Sequence, residues 1–215
     1  MSQNKNSKNT KLTDLNQTTD EPSKSQNMDL FESSLIRLNR EGVSINNRKI
    51  YIPEIDLDSP LVLIEFLDYI MQYSKPENRL DPVELLIGTY GGSAYGMLGT
   101  IDIMRTAPMK INTTAIGAVM SAGTWVLAAG TGVRRAHENT FIMLHQLRGG
   151  QDGTMHEIAQ TTTHLKKVQQ TAERLLAKYT KKDEKFWRAA SKKEYYMNAQ
   201  EALELGLIDE IIPTP

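Results

Sequence analysis

Three side chains in this sequence could together break a bond with a serine nucleophile. Ser121 is the one serine in a small and apolar run, TTAIGAVMSAGTWVLAAG (113–130). His145 follows the apolar segment FIML, and Glu194 precedes the last predicted helix. Serine hydrolysis needs a base that takes the hydroxyl proton and an acid that orients the base. Taken singly, the same residues also suit a helix cap, a core histidine and a surface carboxylate.

Two turns offer backbone N–H groups for a negatively charged oxygen. Gly91–Gly92 connects a predicted strand to a helix, and glycine there permits positive φ and an inward-pointing N–H. Ala122 stands at the start of a predicted helix, where N–H groups lack partners within the helix and the dipole is positive. Paired N–H donors stabilise the oxyanion of acyl transfer. The residues alone therefore indicate an α/β hydrolase or transferase.

Strands and helices alternate along most of the chain and have to bring these residues together. Apolar and β-branched runs predict the strands, and helical spacing with Ser, Pro and Gly at the boundaries predicts the helices. In chain order the predicted segments are strand 49–55, helix 59–74, strand and turn 82–92, helix 94–106, strand 110–117, helix 121–130, turn and strand 134–146, helix 154–180, and a helix and final strand within 198–212. This alternation predicts an α/β domain with parallel strands and right-handed crossovers, in which chemistry collects where strands end.

The composition narrows the class of protein. The 215 residues suit one domain with a tail, and Lys+Arg 25 against Asp+Glu 26 argues against nucleic acid as a partner. The chain has no cysteine, which excludes disulfides, a thiol nucleophile and cysteine-based metal sites. The remaining histidines, His137, His156 and His164, show no metal-site spacing. Their spacing therefore predicts no metal site, and bond cleavage by a serine nucleophile needs no metal or organic cofactor. A cytoplasmic location fits the lack of cysteine.

The first 27 residues are polar and rich in Asn, Ser, Thr and Lys. They predict a disordered tail, 1–27, ahead of a domain at 28–215, and they lack the apolar stretch of a secretory signal. Residues 111–130 are long enough and uncharged enough for a membrane span. Three glycines and several polar residues interrupt this stretch, so it is predicted to be a buried strand, a tight turn and a buried helix. No association with a membrane is expected.

Several motifs resemble the proteolytic subunit of the Clp protease, ClpP. GAVMSAGTWVLAAG is similar to that family's nucleophile segment, G-x-A-A-S-M-G-A-x-L-L-A-A-G. ENTFIMLHQLRGG is similar to its base segment, which ends M-I-H-Q-P-x-G-G. IGTYGG falls on its N-S-P-G-G turn, and MNAQEALELGLIDEII resembles its ending S-A-x-E-A-x-E-Y-G-L-I-D. The resemblance runs from about residue 49 to 212.

The resemblance implies a serine endopeptidase. Ser121 falls on the nucleophile and His145 on the base, and counting back from the final motif puts Glu194 at the acid. The N–H groups of Gly92 and Ala122 fall on the oxyanion hole. The strand LRGG and the turn GGSA would hold the substrate backbone in β pairing, through Gly91, Ser93, Arg148 and Gly149.

Some positions depart from the family pattern. Glu194 replaces the usual Asp, and Asp183 or Glu184 are alternative acids because the loop before Glu194 carries few markers. Leu147 replaces the proline of the base motif, and Tyr90 replaces the proline before the glycine turn. These changes are expected to alter the substrate groove more than the reaction.

The family's architecture implies a ClpP/crotonase-type fold of repeated ββα units with a protruding handle helix, here 154–180. It also implies a homo-oligomer of two stacked seven-membered rings that enclose a chamber for unfolded polypeptide substrates. An AAA+ unfoldase is the implied ATP-driven partner. Its docking is left open, because the segment FESSLIRLNREGVSINN (31–47) does not match the family well.

Three alternatives stay open. A stand-alone processing protease, for example of viral assembly type, would work without an unfoldase and would suit the poorly matching segment 31–47. A non-catalytic ring subunit is kept open by the glutamate at the acid position. A crotonase-like acyl-CoA enzyme would use a similar fold and oxyanion hole, although the order of serine and histidine argues against it.

Overall fold

The structure, a computed structural model, describes residues 43–44 and 47–214. Of residues 43–44 only the backbone is described. The predicted disordered tail, its boundary with the domain and most of the segment 31–47 lie outside the described residues.

Eight strands and six helices make up the described part of the chain. The strands are β1 Val43–Ser44, β2 Lys49–Ile52, β3 Val83–Thr89, β4 Ile111–Met120, β5 Arg134–His137, β6 Phe141–Leu144, β7 Tyr195–Asn198 and β8 Glu210–Ile212. The helices are α1 Ser59–Tyr73, α2 Ala94–Thr106, α3 Ala122–Ala128, α4 Met155–Tyr179, α5 Glu184–Ala190 and α6 Ala199–Leu205, with a short 3-10 turn at Pro76–Asn78. The predicted α/β class is confirmed.

One mostly parallel sheet organises these elements. Its strand order is β1-β2-β3-β4-β5-β8, with β6 paired to β4 and β7 paired to β6. On the side away from β3, β4 belongs to two ladders, because its first half pairs with β5 and its second half pairs with β6. Gly117 lies between the halves with a φ of 63°, close to where the ladder of β3 and β4 shifts register. This division places β6 and β7 beside the carboxyl end of β4, which is followed by Ser121.

Local sequence explains the elements around this edge. Every second residue of β3 is buried, which is the period of a strand. α1 buries apolar residues at helical spacing. α3 is buried along its whole length, so the run 113–130 is a strand, a turn and a buried helix, as predicted. Among the described residues, no helix is both long and apolar enough to cross a membrane.

α4 is the long helix predicted at 154–180. It begins after Thr154, whose hydroxyl accepts from the Glu157 N–H while the Glu157 carboxylate accepts from the Thr154 N–H. The first half of α4 is mostly exposed. The second half buries Val168, Ala172, Glu173 and Leu176. The helix is therefore anchored at its C-terminal end and exposed at its N-terminal end, as expected of a handle.

Two short elements between α4 and α6 were not predicted from the sequence. α5 has seven residues and β7 has four. β7 forms by antiparallel pairing with β6, about fifty residues earlier in the chain, and the local sequence does not encode that contact. The pairing brings residues 195–198 alongside the strand that leads to His145.

Candidate active site

Ser121 and His145 lie at one edge of the sheet. β4 and β6 run parallel and pair Met120 with Met143, so Ser121 follows one strand as His145 follows the other. The Ser121 N–H donates to the Met143 carbonyl oxygen at 2.7 Å, and Thr124 Oγ1 donates to the same oxygen at 2.8 Å. The chain around Ser121 is therefore tied directly to the strand that carries His145.

The backbone turns sharply at Ser121. Its φ is 50° and its ψ is −128°, a positive φ that is rare outside glycine. Such conformations cost about 1–3 kcal/mol and concentrate at functional sites. The Ser121 hydroxyl forms no capping hydrogen bond to α3. The ordinary role of a helix-capping serine is therefore not the one observed.

The glycine turn packs against Ser121. A Cβ placed on Gly91 would lie 2.6 Å from the Ser121 Cβ and 2.9 Å from the Met120 carbonyl oxygen. The Gly91 N–H donates to Thr89 Oγ1 at 3.0 Å, and the Gly91 carbonyl oxygen accepts from the Ile55 N–H at 3.0 Å. Both backbone groups of Gly91 are thus hydrogen-bonded within the protein. Gly91 supports the turn at Ser121, and neither group is left for the substrate pairing expected from the sequence.

Two backbone N–H groups remain for an oxyanion. A Cβ on Gly92 would lie 1.9 Å from the Ile55 carbonyl oxygen, and its φ is 142°, so glycine is required there. The Ser93 N–H donates to that same Ile55 oxygen at 2.6 Å. Within the described residues the Gly92 N–H has no acceptor. Ala122 begins α3, where its N–H has no partner within the helix.

A cavity of about 440 Å³ brings most of the predicted site residues together. The predicted residues in its lining are Gly92, Ser93, Ser121, Ala122, His145 and Arg148. Its apolar lining includes Tyr95, Met97, Trp125, Leu147, Leu165 and Ala172. Gly149 is exposed and does not line this cavity. An apolar cavity with a few convergent polar groups is typical of a binding site.

Glu194 lies near His145. β6 and β7 are antiparallel, and their ladder ends with the pair Leu144 and Tyr195, so His145 and Glu194 are the residues that adjoin its end. A second cavity, of about 370 Å³, is lined by both residues and by Arg148. The end of the ladder and the shared cavity therefore bring the candidate acid near the candidate base.

The Glu194 carboxylate is held by two other side chains. Tyr196 Oη donates to its Oε2 at 3.0 Å, and Arg148 Nη2 donates to its Oε1 at 2.6 Å. These hydrogen bonds, from Tyr196 and then Arg148, lower the pKa of Glu194. The Arg148 and Glu194 side chains are 72% and 45% exposed. Water and salt therefore screen this ion pair, and it is a weak contact.

His145 hydrogen-bonds to its own neighbour. His145 Nδ1 lies 2.5 Å from the Gln146 carbonyl oxygen. Because a carbonyl oxygen only accepts, Nδ1 carries the proton and Nε2 is the nitrogen that can accept from Ser121. Among the described residues, no hydrogen bond joins His145 to Ser121 or to Glu194. The three side chains are adjacent, but they do not form a connected triad in this structure.

The other two candidate acids are engaged elsewhere. Asp183 caps α5 and accepts from the Phe186 N–H at 2.8 Å. Glu184 Oε2 lies 3.7 Å from Arg188 Nη2. Neither acid lines a cavity with His145. The geometry therefore favours Glu194 over Asp183 and Glu184.

The remaining histidines form no metal site in the described part of the chain. No group of three or more His, Asp or Glu side chains there could hold a metal ion. His164 Nε2 lies 2.7 Å from Tyr95 Oη, and His156 Nε2 lies 2.9 Å from Gln160 Nε2. These histidines pair with single neighbours on or near α4.

The residues that hold the site through hydrogen bonds to its backbone groups were not predicted from the sequence. Thr89 and Thr124 bond backbone groups beside Ser121, and each is a hydroxyl in an apolar setting, which was the available signal. Gln169 Oε1 accepts from the Leu147 N–H at 2.9 Å. Gln169 is one of many polar residues on α4, so nothing in the local sequence singled it out.

Comparison with known proteins defines the class to which this fold and site belong. The sequence profile of the Clp protease family matches residues 65–215, well over half of the chain. The chain belongs to the Clp protease family and is a peptidase of the ClpP type.

A named relative agrees with this assignment. The ATP-dependent Clp protease proteolytic subunit of Bacteroides thetaiotaomicron is 30% identical over 184 residues, which cover 78% of this chain and 83% of the relative. The resemblance drawn from the sequence motifs is confirmed, and so is the expected fold of that family.

Proposed function

We propose that this chain is a serine endopeptidase with Ser121 as nucleophile, His145 as base and Glu194 as orienting acid. The shared edge of β4 and β6 carries the proposal, because it puts Ser121 and His145 on one cavity with Gly92 and Ala122. Family membership supports hydrolysis of peptide bonds as the reaction. The proposed chemistry needs no metal or organic cofactor.

In the proposed reaction, Ser121 Oγ attacks the carbonyl carbon of a peptide bond while His145 Nε2 takes the hydroxyl proton. The oxyanion accepts hydrogen bonds from the N–H groups of Gly92 and Ala122. His145 returns the proton to the leaving amine. Water then hydrolyses the acyl-enzyme, with His145 again acting as base and acid.

This route requires one rearrangement of side chains. His145 Nδ1 has to leave the Gln146 carbonyl oxygen, and Glu194 has to exchange Arg148 for His145. The ladder of β6 and β7 supports the exchange, because His145 and Glu194 adjoin its end and line one cavity. The His145 tautomer also suits the reaction, since its Nδ1 carries the proton. We interpret the observed arrangement as a resting state of the site.

The substrate in this proposal is an extended, unfolded polypeptide. Residues 147–149 follow His145 outside any strand. Among the described residues, the N–H groups of Arg148 and Gly149 donate to no backbone acceptor. They can therefore pair with a substrate backbone in β fashion, which makes side-chain selectivity loose. The Ser93 backbone N–H is not free for this pairing, because it donates to the Ile55 carbonyl oxygen, while the Ser93 hydroxyl accepts from the Gly96 N–H.

We propose further that the chain works as a homo-oligomer of two stacked seven-membered rings, fed by an AAA+ unfoldase. The exposed first half of α4 supports a contact between copies. The name of the Bacteroides relative, which describes an ATP-dependent protease, supports an ATP-driven partner. A cytoplasmic location stays a prediction.

A non-catalytic ring subunit is the second candidate, because the triad is not connected in this structure. A stand-alone processing protease has the same site and differs only in needing no unfoldase. Degradation of a folded substrate that depends on an added unfoldase and ATP would exclude it. The family assignment disfavours a crotonase-like acyl-CoA enzyme.

A fluorophosphonate probe tests the proposal on the purified full chain, with the adduct mapped by peptide mass spectrometry. We expect the adduct on Ser121, its absence in Ser121→Ala, and at least about 100-fold slower labelling in His145→Ala. Ser93→Ala is the matched control, since it removes the other serine hydroxyl of the cavity and should keep labelling. An intact ring-sized particle without an adduct would support the non-catalytic subunit.

A further inference from the structure

The chain after His145 is tethered by a side chain of α4. Gln169 Oε1 accepts from the Leu147 N–H at 2.9 Å. Gln169 is half-buried and lines the cavity that contains Ser121 and His145. Leu147 is the residue before Arg148, where the protein segment proposed to pair with the substrate begins. The Gln169 side-chain oxygen thus holds the backbone N–H of the residue that lies between His145 and the substrate-binding segment.

A buried carboxylate orients the Gln169 amide. Gln169 Nε2 donates to Glu173 Oε1 at 3.0 Å, and the Glu173 side chain is only 3% exposed. A carboxylate only accepts, so it draws the amide nitrogen of Gln169 toward itself. The amide oxygen is thereby turned toward Leu147. Glu173 therefore decides which end of the amide meets the backbone.

The buried charge of Glu173 is balanced from α5. Arg188 Nε donates to Glu173 Oε2 at 2.8 Å, and burial of an ionised carboxylate is tolerated when it is paired and hydrogen-bonded. α5 also leads to Ser191, whose carbonyl oxygen accepts from the Gln146 N–H at 2.8 Å. Consecutive N–H groups after His145 are thus bonded to α4 on one side and to the end of α5 on the other.

We propose that Gln169, oriented by Glu173 and Arg188, is a positioning residue that holds the segment 147–149 after His145 in place for substrate binding. The proposal rests on the proposed peptidase function. With the N–H groups of Gln146 and Leu147 bonded within the protein, the first N–H left for substrate is that of Arg148. Loss of the tether should impair binding of an extended peptide more than activation of Ser121.

Exchanging the side chains of Gln169 and Glu173 tests whether these hydrogen bonds hold the Leu147 N–H. Gln169→Leu removes both bonds of Gln169, and Gln169→Glu faces the carboxylate of Glu173. In the double variant Q169E/E173Q, the new Glu accepts from Leu147 and from the new Gln, whose oxygen accepts from Arg188. A displacement of about 1 Å costs on the order of 100-fold in rate, so we expect kcat/KM for an extended peptide to fall about 10- to 100-fold in each single variant of Gln169, mainly through KM.

The small fluorophosphonate does not pair with the segment that binds the substrate backbone. Its rate of labelling Ser121 should therefore change less than about threefold in the Gln169 variants. The double variant should restore kcat/KM to within about threefold of wild type. Gln170→Leu, on the exposed neighbour, is the matched control and should behave as wild type. Unchanged turnover in Gln169→Leu, or equal loss of labelling and turnover, would overturn the proposal.

Hydrogen exchange separates this inference from the peptidase proposal. The peptide spanning residues 145–150 should lose protection at Leu147 in Gln169→Leu and recover it in Q169E/E173Q. Unchanged exchange would refute the tether even in an active enzyme. If the variants show this exchange pattern but the wild-type protein forms no Ser121 adduct, the peptidase proposal is refuted and the tether is retained. Thermal unfolding and particle size are recorded for every variant, and if Gln169→Leu does not fold, the pair Gln169→Glu and Q169E/E173Q decides.

Discussion

Replacing Gly91 by alanine tests whether the glycine turn positions the nucleophile. The added Cβ would lie 2.6 Å from the Ser121 Cβ. Carbon atoms in contact are normally about 3.5–4.0 Å apart, so the two turns must separate by about 1 Å. A shift of that size at a reacting group lowers the rate on the order of 100-fold. We therefore expect Gly91→Ala to lower kcat/KM about 100-fold and to slow Ser121 labelling to a similar extent.

The matched control is Gly117→Ala. Gly117 also has a positive φ, of 63°, but a Cβ there would meet nothing within 4 Å. Both variants carry backbone strain, of about 1–3 kcal/mol, and should unfold at lower temperature. Only Gly91→Ala adds the collision with Ser121, so Gly117→Ala should keep kcat/KM within about threefold of wild type.

The assays are hydrolysis of a fluorogenic peptide, fluorophosphonate labelling and thermal unfolding, all on particles of the same size. Full activity of Gly91→Ala would refute the packing of the glycine turn against Ser121. Equal loss of activity in both variants would also refute the reasoning, since it would show that backbone strain alone disables the site.

Three further predictions follow. Glu194→Gln should lower kcat about 100- to 10,000-fold, because the amide no longer favours the imidazolium of His145; a loss below tenfold would show that the Gln146 carbonyl suffices as the partner of the base. Arg148→Leu should speed Ser121 labelling at low salt by releasing Glu194, and about 1 M NaCl should bring wild type toward the variant by screening the ion pair; faster labelling at high salt in both proteins would contradict this. Burial raises the pKa of Asp209, but hydrogen bonds from the Arg134 side chain and backbone outweigh it and lower the pKa. This stabilisation is present above the ordinary aspartate pKa of about 3.9 and is lost as the pH falls through the lowered value, so Asp209→Asn should lower Tm at pH 7, and the deficit should vanish in strong acid. A deficit that persists in acid would show a steric effect.

Local residue patterns were sufficient to predict the order of the main elements and half of the candidate site. Helical and strand periodicity, and the boundary residues, act within a turn or two of the chain, so α2 and α4 were predicted close to their observed bounds. The turns at Gly91–Gly92 and Ser121 were also visible, because glycine and small residues mark sharp turns locally. Parallel strands then bring such turns to one edge, which is a general property of α/β folds.

Contacts between distant segments decided the rest. From the sequence alone Glu194 was one surface carboxylate among several, and the resemblance singled it out. The pairing of β7 with β6, which ends at Leu144 and Tyr195, is what brings it near His145. The hydrogen bonds from Arg148 and Tyr196 to the Glu194 carboxylate depend on the same contact between distant segments.

The tether from Gln169 to Leu147 joins a helix to a loop 22 residues away. Hydrogen bonds of this kind depend on where packed elements place individual donors and acceptors. The sequence by itself therefore determined which chemistry this chain could carry, and only the tertiary structure decided which side chains hold the reacting groups in place.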